Sequence, residues 1–598
     1  MKPNVLFLMM DELRSPQHET KEIKEWRQKY LKAQNYLESS GITFTNNYIA
    51  SCACSPSRTC LFTGQYPKLH GVSQTEGVAK SAEDPDMFWL GQNTVPTMGD
   101  YFEKNGYNCI YSGKWHISNS DIFIPGTNSA LPTYDVEGFP NEKNTRIYDN
   151  SNVLKDYGFN GYLGPEPTGQ NPYNSGSSST RDVSGRDVIY TADSVKILHD
   201  LDKSKDDKPW FLVTSLVNPH DISLYGDISN KSDNYNFVID PSVPFIPKSP
   251  TANADLSTKP HCQEQYKILY QVAMQPTKDT ERYRKFYYSL ILNADKNLQK
   301  VLDAFKKTRF VDNTIIVFIS DHGEQLGSQG LLQKWYNAYE ESIHVPFVIK
   351  IPRSLRTEHT LKKGTRVDIL SNNIDVMPTL LGLCNIDVKA TKKILKKDHT
   401  NVRRLVGRDL SPLLLGKEDF KEFGNKPVLF VTYDNIFMGA NMTTFTGRPY
   451  LPIFQPTNIQ TIVVEINKIL WKFSRYYDDP QFWTSPYVQN VVQIYNSGFQ
   501  DIPNGNEVIT NNEVTTVTRA QTLPPEFEMY NLTDDPLEKY NLANPKYSTP
   551  KTKKIELKLL ELLDLEVKTK ILTPKQTPID VNIITPTLDH LPKINWGN

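Results

Sequence analysis

Three short apolar runs, each closing on acids or histidine, constrain this chain more than any other feature. Asn4-Val5-Leu6-Phe7-Leu8-Met9-Met10 runs into Asp11-Glu12. Trp210-Phe211-Leu212-Val213-Thr214-Ser215-Leu216-Val217 ends at Asn218-Pro219-His220-Asp221. Thr314-Ile315-Ile316-Val317-Phe318-Ile319 ends at Ser320-Asp321-His322-Gly323-Glu324. Continuous apolar runs of this length read as strands buried on both faces, as in parallel sheets. Helical patterns lie between them, such as Glu281 to Phe305, where apolar residues recur at three- and four-residue spacing. Strands alternating with helices predict an α/β fold with a mainly parallel sheet. Functional residues in such sheets gather at the carboxyl ends of the strands, where these acids and histidines stand.

Composition narrows the function. Across 598 residues, 67 Lys+Arg face 68 Asp+Glu, a formal net charge of −1. That balance argues against a nucleic-acid binder and against a polybasic membrane-surface protein. No apolar run approaches the ~18 residues of a membrane span. The apolar stretch Val5–Met10 runs straight into Asp11-Glu12. It is shorter than the ~7–15 residues of a secretory signal core, so the expected location is cytoplasmic.

Segment composition divides the chain. Residues 1–416 form the expected main domain, closing on Gly407-Arg408-Asp409-Leu410 to Gly416. Within it, residues 117–186 are rich in Asn, Gly, Ser and Pro and read as a loop-rich insertion. A second irregular stretch covers 227–262. Residues 417–545 hold β-rich segments at Pro427–Tyr433, Thr461–Glu465 and Ile469–Tyr476, which predict a smaller α+β subdomain. Residues 546–598 read as a Lys/Leu/Glu helix over 550–567 followed by a Pro-punctuated tail.

Six cysteines are too sparse for a disulfide framework. Three of them, Cys52, Cys54 and Cys60, cluster without the spacing of a zinc site. The run Cys54-Ser55-Pro56-Ser57-Arg58-Thr59-Cys60-Leu61-Phe62-Thr63-Gly64 instead resembles the C-x-P-S-R-x-x-x-L/F-T-G signature of the sulfatase family. Further matches follow in family order. They are Asn4 to Asp11-Glu12, Gly113-Lys114-Trp115-His116, Asn218-Pro219-His220, Ser320-Asp321-His322-Gly323-Glu324 and Lys334. Asp375 to Leu381, Gly407 to Leu410 and Met529 to Glu538 are matching landmarks.

The resemblance implies an alkaline phosphatase-like α/β/α sandwich with a smaller C-terminal subdomain. It implies that Cys54 is oxidised to formylglycine by a formylglycine-generating enzyme, a transient partner. Asp11, Glu12, Cys54, Asp321 and His322 become the implied metal ligands. That set suits Ca²⁺, with Mn²⁺ or Mg²⁺ as alternatives. Arg58, one helical turn after Cys54 if the segment is helical, would hold the hydrate or metal-shell oxygens in a fork. Lys114 and Lys334 would clamp sulfate oxygens, His116 would act as base, and His220 would protonate the leaving oxygen, with Lys334 as a second candidate. The implied substrate is a small-molecule or saccharide sulfate ester. A phosphonate monoester or phosphodiester hydrolase is the runner-up, and a non-catalytic binding protein of the same fold is the third reading. The chain departs from many members at Glu12, at His322 and at Ile117-Ser118 after the Gly-Lys-Trp-His run. Specificity is expected in residues 117–186, 222–262 and 435–525, which carry Tyr173, Tyr235, Tyr476, Tyr477 and Trp483.

Overall fold

A computed structural model describes residues 2–77, 80–84, 87–127, 129–167, 171–180, 183–419, 423–424, 426–436, 456–479 and 522–575, with the backbone of short strands between 489 and 519. Trp483 and the tail 576–598 lie outside the described residues.

The three apolar runs are strands, buried at every position: β1 (Asn4–Met10), β4 (Trp210–Leu216) and β5 (Thr314–Ser320). With β2 (Ile42–Tyr48), β3 (Asn108–Gly113), β6 (Phe347–Lys350) and β7 (Thr365–Asn372) they form one seven-stranded sheet, ordered β3-β4-β1-β5-β6-β2-β7. All pairings are parallel except those of β6, which runs against β5 and β2. β1 is therefore central, with neighbours on both edges, and its unbroken apolar sequence follows from burial on both faces.

Helices cover the sheet. The longest, Glu281–Phe305, is capped by the Thr280 hydroxyl, which accepts from the Tyr283 N–H. It packs against the helix Arg186–Lys203 and the helix Lys32–Ser40. We label α1 the helix Cys54–Thr63, all ten of whose residues are buried. It ends at Gly64, whose φ of 62° is the left-handed conformation that glycine adopts freely at a helix C-terminus.

A second, antiparallel sheet joins β8 (Val428–Thr432), β9 (Asn458–Ile466), β10 (Ile469–Tyr477) and β11 (Glu526–Asn531), in the order β11-β10-β9-β8. A helix over Pro550–Lys570 buries Leu559 and Leu563 in the small core of that sheet. It begins at a Thr549 cap with Pro550 in the first turn, where a missing N–H costs nothing. The result is an α/β sandwich with a smaller C-terminal subdomain.

The segment 117–186 is more than a surface loop. It carries the helix Glu142–Ser151, and it buries Phe159 against Phe62, Tyr111 and Trp115. Polar composition hid a structural role borne by a few aromatics. No helix among the described residues is long and apolar enough to cross a membrane. All six cysteines are buried and free.

Candidate active site

Strand register sets the site. Met10 of β1 lies level with Leu216 of β4 and Ser320 of β5, and Gly113 of β3 lies level with Ser215. Asp11, Lys114 and Asp321, each one residue beyond a strand end, therefore emerge along a single edge of the sheet. The N-terminus of α1 brings Cys54 to that edge. Donor atoms of Asp11, Cys54, Asp321 and His322 all lie within 4.8 Å of one another. Cys54 Sγ stands 3.0 Å from His322 Nε2, 3.8 Å from Asp11 Oδ1 and 4.0 Å from Lys114 Nζ.

Arg58 holds this group together. Its Nε donates to Asp321 Oδ2 at 2.7 Å and its Nη2 to Asp11 Oδ2 at 2.9 Å. Its Nη1 donates to the Lys114 carbonyl at 2.6 Å and to Ser215 Oγ at 3.0 Å. The planar fork thus spans two carboxylates with no exposed surface on either side. Burial alone would raise the Asp11 carboxyl, but the neighbouring cations Lys114 and Arg58 hold it well below its ordinary range. Lys114 Nζ pairs with Asp11 Oδ2 at 2.7 Å.

Glu12 stands apart from the four-donor group. It shares a second grouping with Asp11 and His220. Its Oε2 accepts from Lys334 Nζ at 2.8 Å, while Oε1 has no partner. Burial pushes its carboxyl well up, against the pull of Lys334. Its backbone adopts φ 69°, and that of His116 adopts φ 57°; left-handed backbone at non-glycine residues marks positions fixed by their surroundings. Gly113 explains the first residue of the Gly-Lys-Trp-His run. It lies at φ 120°, and a Cβ there would collide with the Ser215 carbonyl.

The imidazoles are neutral. Burial, reinforced by Lys114, holds His116 and His220 well below the ordinary histidine value. His322 is also lowered by burial. Its Nδ1 lies 3.0 Å from the Gly323 carbonyl, which can only accept. Nδ1 therefore carries the proton, and the Nε2 lone pair faces Cys54, the tautomer a metal ligand needs. Burial also pushes the Cys54 thiol well up, so it is no ready thiolate.

Residues 3–386 match the sulfatase family. The chain belongs to that family. This sulfatase is 26% identical over 404 residues to the uncharacterized sulfatase YidJ of Escherichia coli, covering 64% of this chain and 68% of that protein. It is 27% identical over 414 residues to the choline-sulfatase of Rhizobium meliloti, covering 65% and 69%. Solved structures share the fold. A complex of BT4656 with its substrate D-glucosamine-2-N,6-O-disulfate matches with a TM-score of 0.57 at 16% identity, over 95% of this chain and 98% of that one. The phosphonate monoester hydrolase of Agrobacterium radiobacter matches at 0.53 and 18%, over 94% and 96%. The sulfatase is accordingly a sulfuric ester hydrolase by family.

The donor set fits a divalent cation: two carboxylates, one imidazole in the ligating tautomer, and residue 54 between them. As encoded, the sulfur of Cys54 belongs to softer metals, whereas an oxygen at that position would make the set suit Ca²⁺, Mn²⁺ or Mg²⁺.

Two positioning residues, Glu166 and Asp187, carried no sequence signal, and a third, Glu324, stood in the Ser320–Glu324 run with no role assigned to it. Glu166 of the insertion accepts the Trp115 and His116 N–H groups on one oxygen, at 3.3 and 3.1 Å. Asp187, pushed up to about 7 mainly by burial, accepts from Val217 N at 2.6 Å and Asn218 N at 3.0 Å, ahead of His220. Glu324 accepts from Leu326 N at 2.9 Å and Gln333 N at 3.0 Å, fixing the loop that delivers Lys334.

Proposed function

We propose that this sulfatase cleaves a sulfate monoester to alcohol and sulfate, with residue 54 as nucleophile after conversion of Cys54 to formylglycine. The observation that carries the reading is the buried group of Asp11, Cys54, Asp321 and His322, bound across by Arg58. A divalent cation, Ca²⁺ foremost, would be held by Asp11, residue 54, Asp321 and His322, with Glu12 adjoining through Asp11. Bound there, it supplies Lewis acidity toward oxygen. Formylglycine supplies, as its hydrate, one hydroxyl to attack sulfur and a second to expel the sulfate.

The chain's own groups do the rest. Lys114 and Lys334, both kept charged by neighbouring acids despite burial, offset charge on the sulfate oxygens. Arg58 helps keep Asp11 ionised and aligns it with Asp321. His116, neutral with both ring nitrogens unpartnered, is ready to accept a proton. Lys334, kept charged by Glu12, is the group able to protonate the leaving oxygen, whereas His220, held neutral by burial, would do so only after taking up a proton itself. The proposed organisation is a catalytic domain over 1–416, a C-terminal subdomain over 417–545 and a tail, in a cytoplasmic protein modified by a formylglycine-generating enzyme.

Mass analysis of the Cys54 peptide, from cells that contain the modifying enzyme, tests the conversion, together with turnover of an aryl sulfate. An unmodified peptide in fully active protein, or full activity in Cys54→Ala, would overturn it. The fold shared with a phosphonate monoester hydrolase supports one second reading. Turnover of an aryl phosphonate far above that of the aryl sulfate would select it.

A further inference from the structure

Beside His116 stands a carboxyl group that sulfate hydrolysis does not use. Glu76 Oε2 lies 3.7 Å from His116 Nε2, with 13% of the Glu76 side chain and 1% of the His116 side chain exposed. That separation is too long for a hydrogen bond. Neither ring nitrogen of His116 has any partner. Among the described residues the Glu76 carboxyl makes no hydrogen bond, and burial, with Asp121, Glu166 and Glu83 nearby, pushes it well above its ordinary range. The ring of Trp89 stands 5.9 Å from the His116 ring, and its Nε1 donates to the Ala82 carbonyl at 3.1 Å, which fixes its orientation. Behind His116, the second oxygen of Glu166 is also buried and unpartnered.

We infer that Glu76, His116 and Trp89 form a subsite for the hydroxyl groups of an uncharged sugar that carries the sulfate ester. The inference rests on the sulfate-ester reading above. A hydroxyl is the group that both donates and accepts. Placed between Oε2 and Nε2, it donates to Glu76 and accepts from His116, closing a gap neither residue can close alone. The other nitrogen of His116 stays available for proton transfer. The indole face of Trp89 offers an apolar wall for the ring carbons of a sugar. A quaternary ammonium would stack on Trp89 but find little charge on Glu76, and it would leave the His116 nitrogen unpaired, since it neither donates nor accepts. A uronate would find no cation to pair with at Glu76 or Glu166, whose carboxyls burial pushes up toward the uncharged form. The chemistry favoured is a neutral hexose or N-acetylhexosamine sulfate.

Two measurements test the subsite on the full chain. With Cys54 unconverted, saturation-transfer NMR would follow binding of N-acetylglucosamine, glucuronate and choline to wild type, Glu76→Gln and Glu76→Ala. The expected result is binding of N-acetylglucosamine alone, weakened in both variants while their thermal unfolding matches wild type. With converted enzyme, kcat/KM would be compared for N-acetylglucosamine 6-sulfate, choline sulfate and an aryl sulfate. Glu76→Ala should lower the ratio of sugar to aryl turnover roughly two- to tenfold, the weight of a hydrogen bond between uncharged groups. Parallel loss on both substrates would overturn the subsite and make Glu76 a positioning residue for His116. Preference for choline or for glucuronate would overturn it in favour of a cation or an anion. Absence of any sulfate turnover by wild type would fail the sulfate-ester reading instead, and the binding measurement would still decide the subsite.

Discussion

Lys472 offers a sharp test of how the two sheets hold each other. It lies on β10 with 1% of its side chain exposed, and its Nζ contacts Glu538 at 2.7 Å, Glu340 at 2.9 Å and the Ala338 carbonyl at 2.8 Å. One buried cation thus faces two carboxylates, and Glu340 belongs to the loop that follows Lys334. The Glu340 carboxyl, against the effect of burial, is held at about 2 by Lys472 and His344, below its ordinary 4.5. Burial and the facing Glu340 push the Glu538 carboxyl up to about 8. Holding Glu340 that low is worth roughly 3 kcal/mol in favour of the folded, ionised form. Removing one partner of a buried ion pair costs about 3–5 kcal/mol by independent measure. Lys472→Met, similar in volume, should therefore cost about 3–5 kcal/mol at pH 8.

The sign with pH follows from the same two groups. Glu340, lowered on folding, contributes stability present above its ordinary value and lost as pH falls through about 2. Glu538, raised on folding, contributes stability that is full below the ordinary carboxyl value and lost as pH rises through about 8. Near pH 5 Glu538 is protonated with or without Lys472, so the cost of the substitution should fall to the Glu340 share, about 3 kcal/mol, and climb toward about 5 kcal/mol at pH 8, where the unpaired Glu538 adds to it. Urea unfolding, followed by the fluorescence of neighbouring Trp471, measures both ends. A loss under about 1 kcal/mol at pH 8, or a loss unchanged from pH 5 to 8, would refute the reasoning.

Other perturbations reach the active site directly. Arg58→Lys keeps the charge but not the fork that spans Asp321 and Asp11; stability should fall by about 3 kcal/mol in thermal unfolding, and turnover at least hundredfold. Gly113→Ala forces a Cβ into the Ser215 carbonyl at a left-handed position, and should cost roughly 3 kcal/mol on the urea curve. Calcium at a hundredfold excess over its dissociation constant should stabilise wild type by about 2.7 kcal/mol, and Asp321→Asn should abolish that shift in a calorimetric scan. Cys54→Ser should lose turnover while its unfolding midpoint stays within a few degrees of wild type, since a hydroxyl can keep the one close contact, to His322 Nε2 at 3.0 Å, and the other contacts are long.

The apolar runs made the centre of the fold legible. β1, β4 and β5 are buried on both faces, so their sequences needed no alternation and pointed to a parallel sheet. Register then brought together what sequence order had kept apart: Asp11 and Asp321, some three hundred residues distant, follow strands that are level neighbours. Arg58 was legible as a neighbour of Cys54 on a helix, but its partners were not, because a fork has no preferred carboxylate until the strands are placed. Glu166 and Asp187 gave no signal at all. Glu166 sits in a polar, glycine-rich segment, and Asp187 in the first turn of a helix, where an acid is ordinary. Each holds backbone N–H groups of a distant loop, a kind of contact that leaves no pattern in the chain. Ser215, whose hydroxyl accepts from Arg58, looked like one more residue of an apolar strand.

The burial of α1 has a consequence in time. Cys54 is 1% exposed, at the start of a helix with no exposed residue, beneath Lys114 and between two strand ends. Another protein cannot work on that sulfur once the sheet has closed around it. If residue 54 is converted, the conversion belongs to the minutes of synthesis, and folding is its deadline. The active fraction is then set by a race between two rates, and it is frozen when the race ends. Supplying the modifying enzyme during translation should yield active protein, while adding it to the finished chain should yield none.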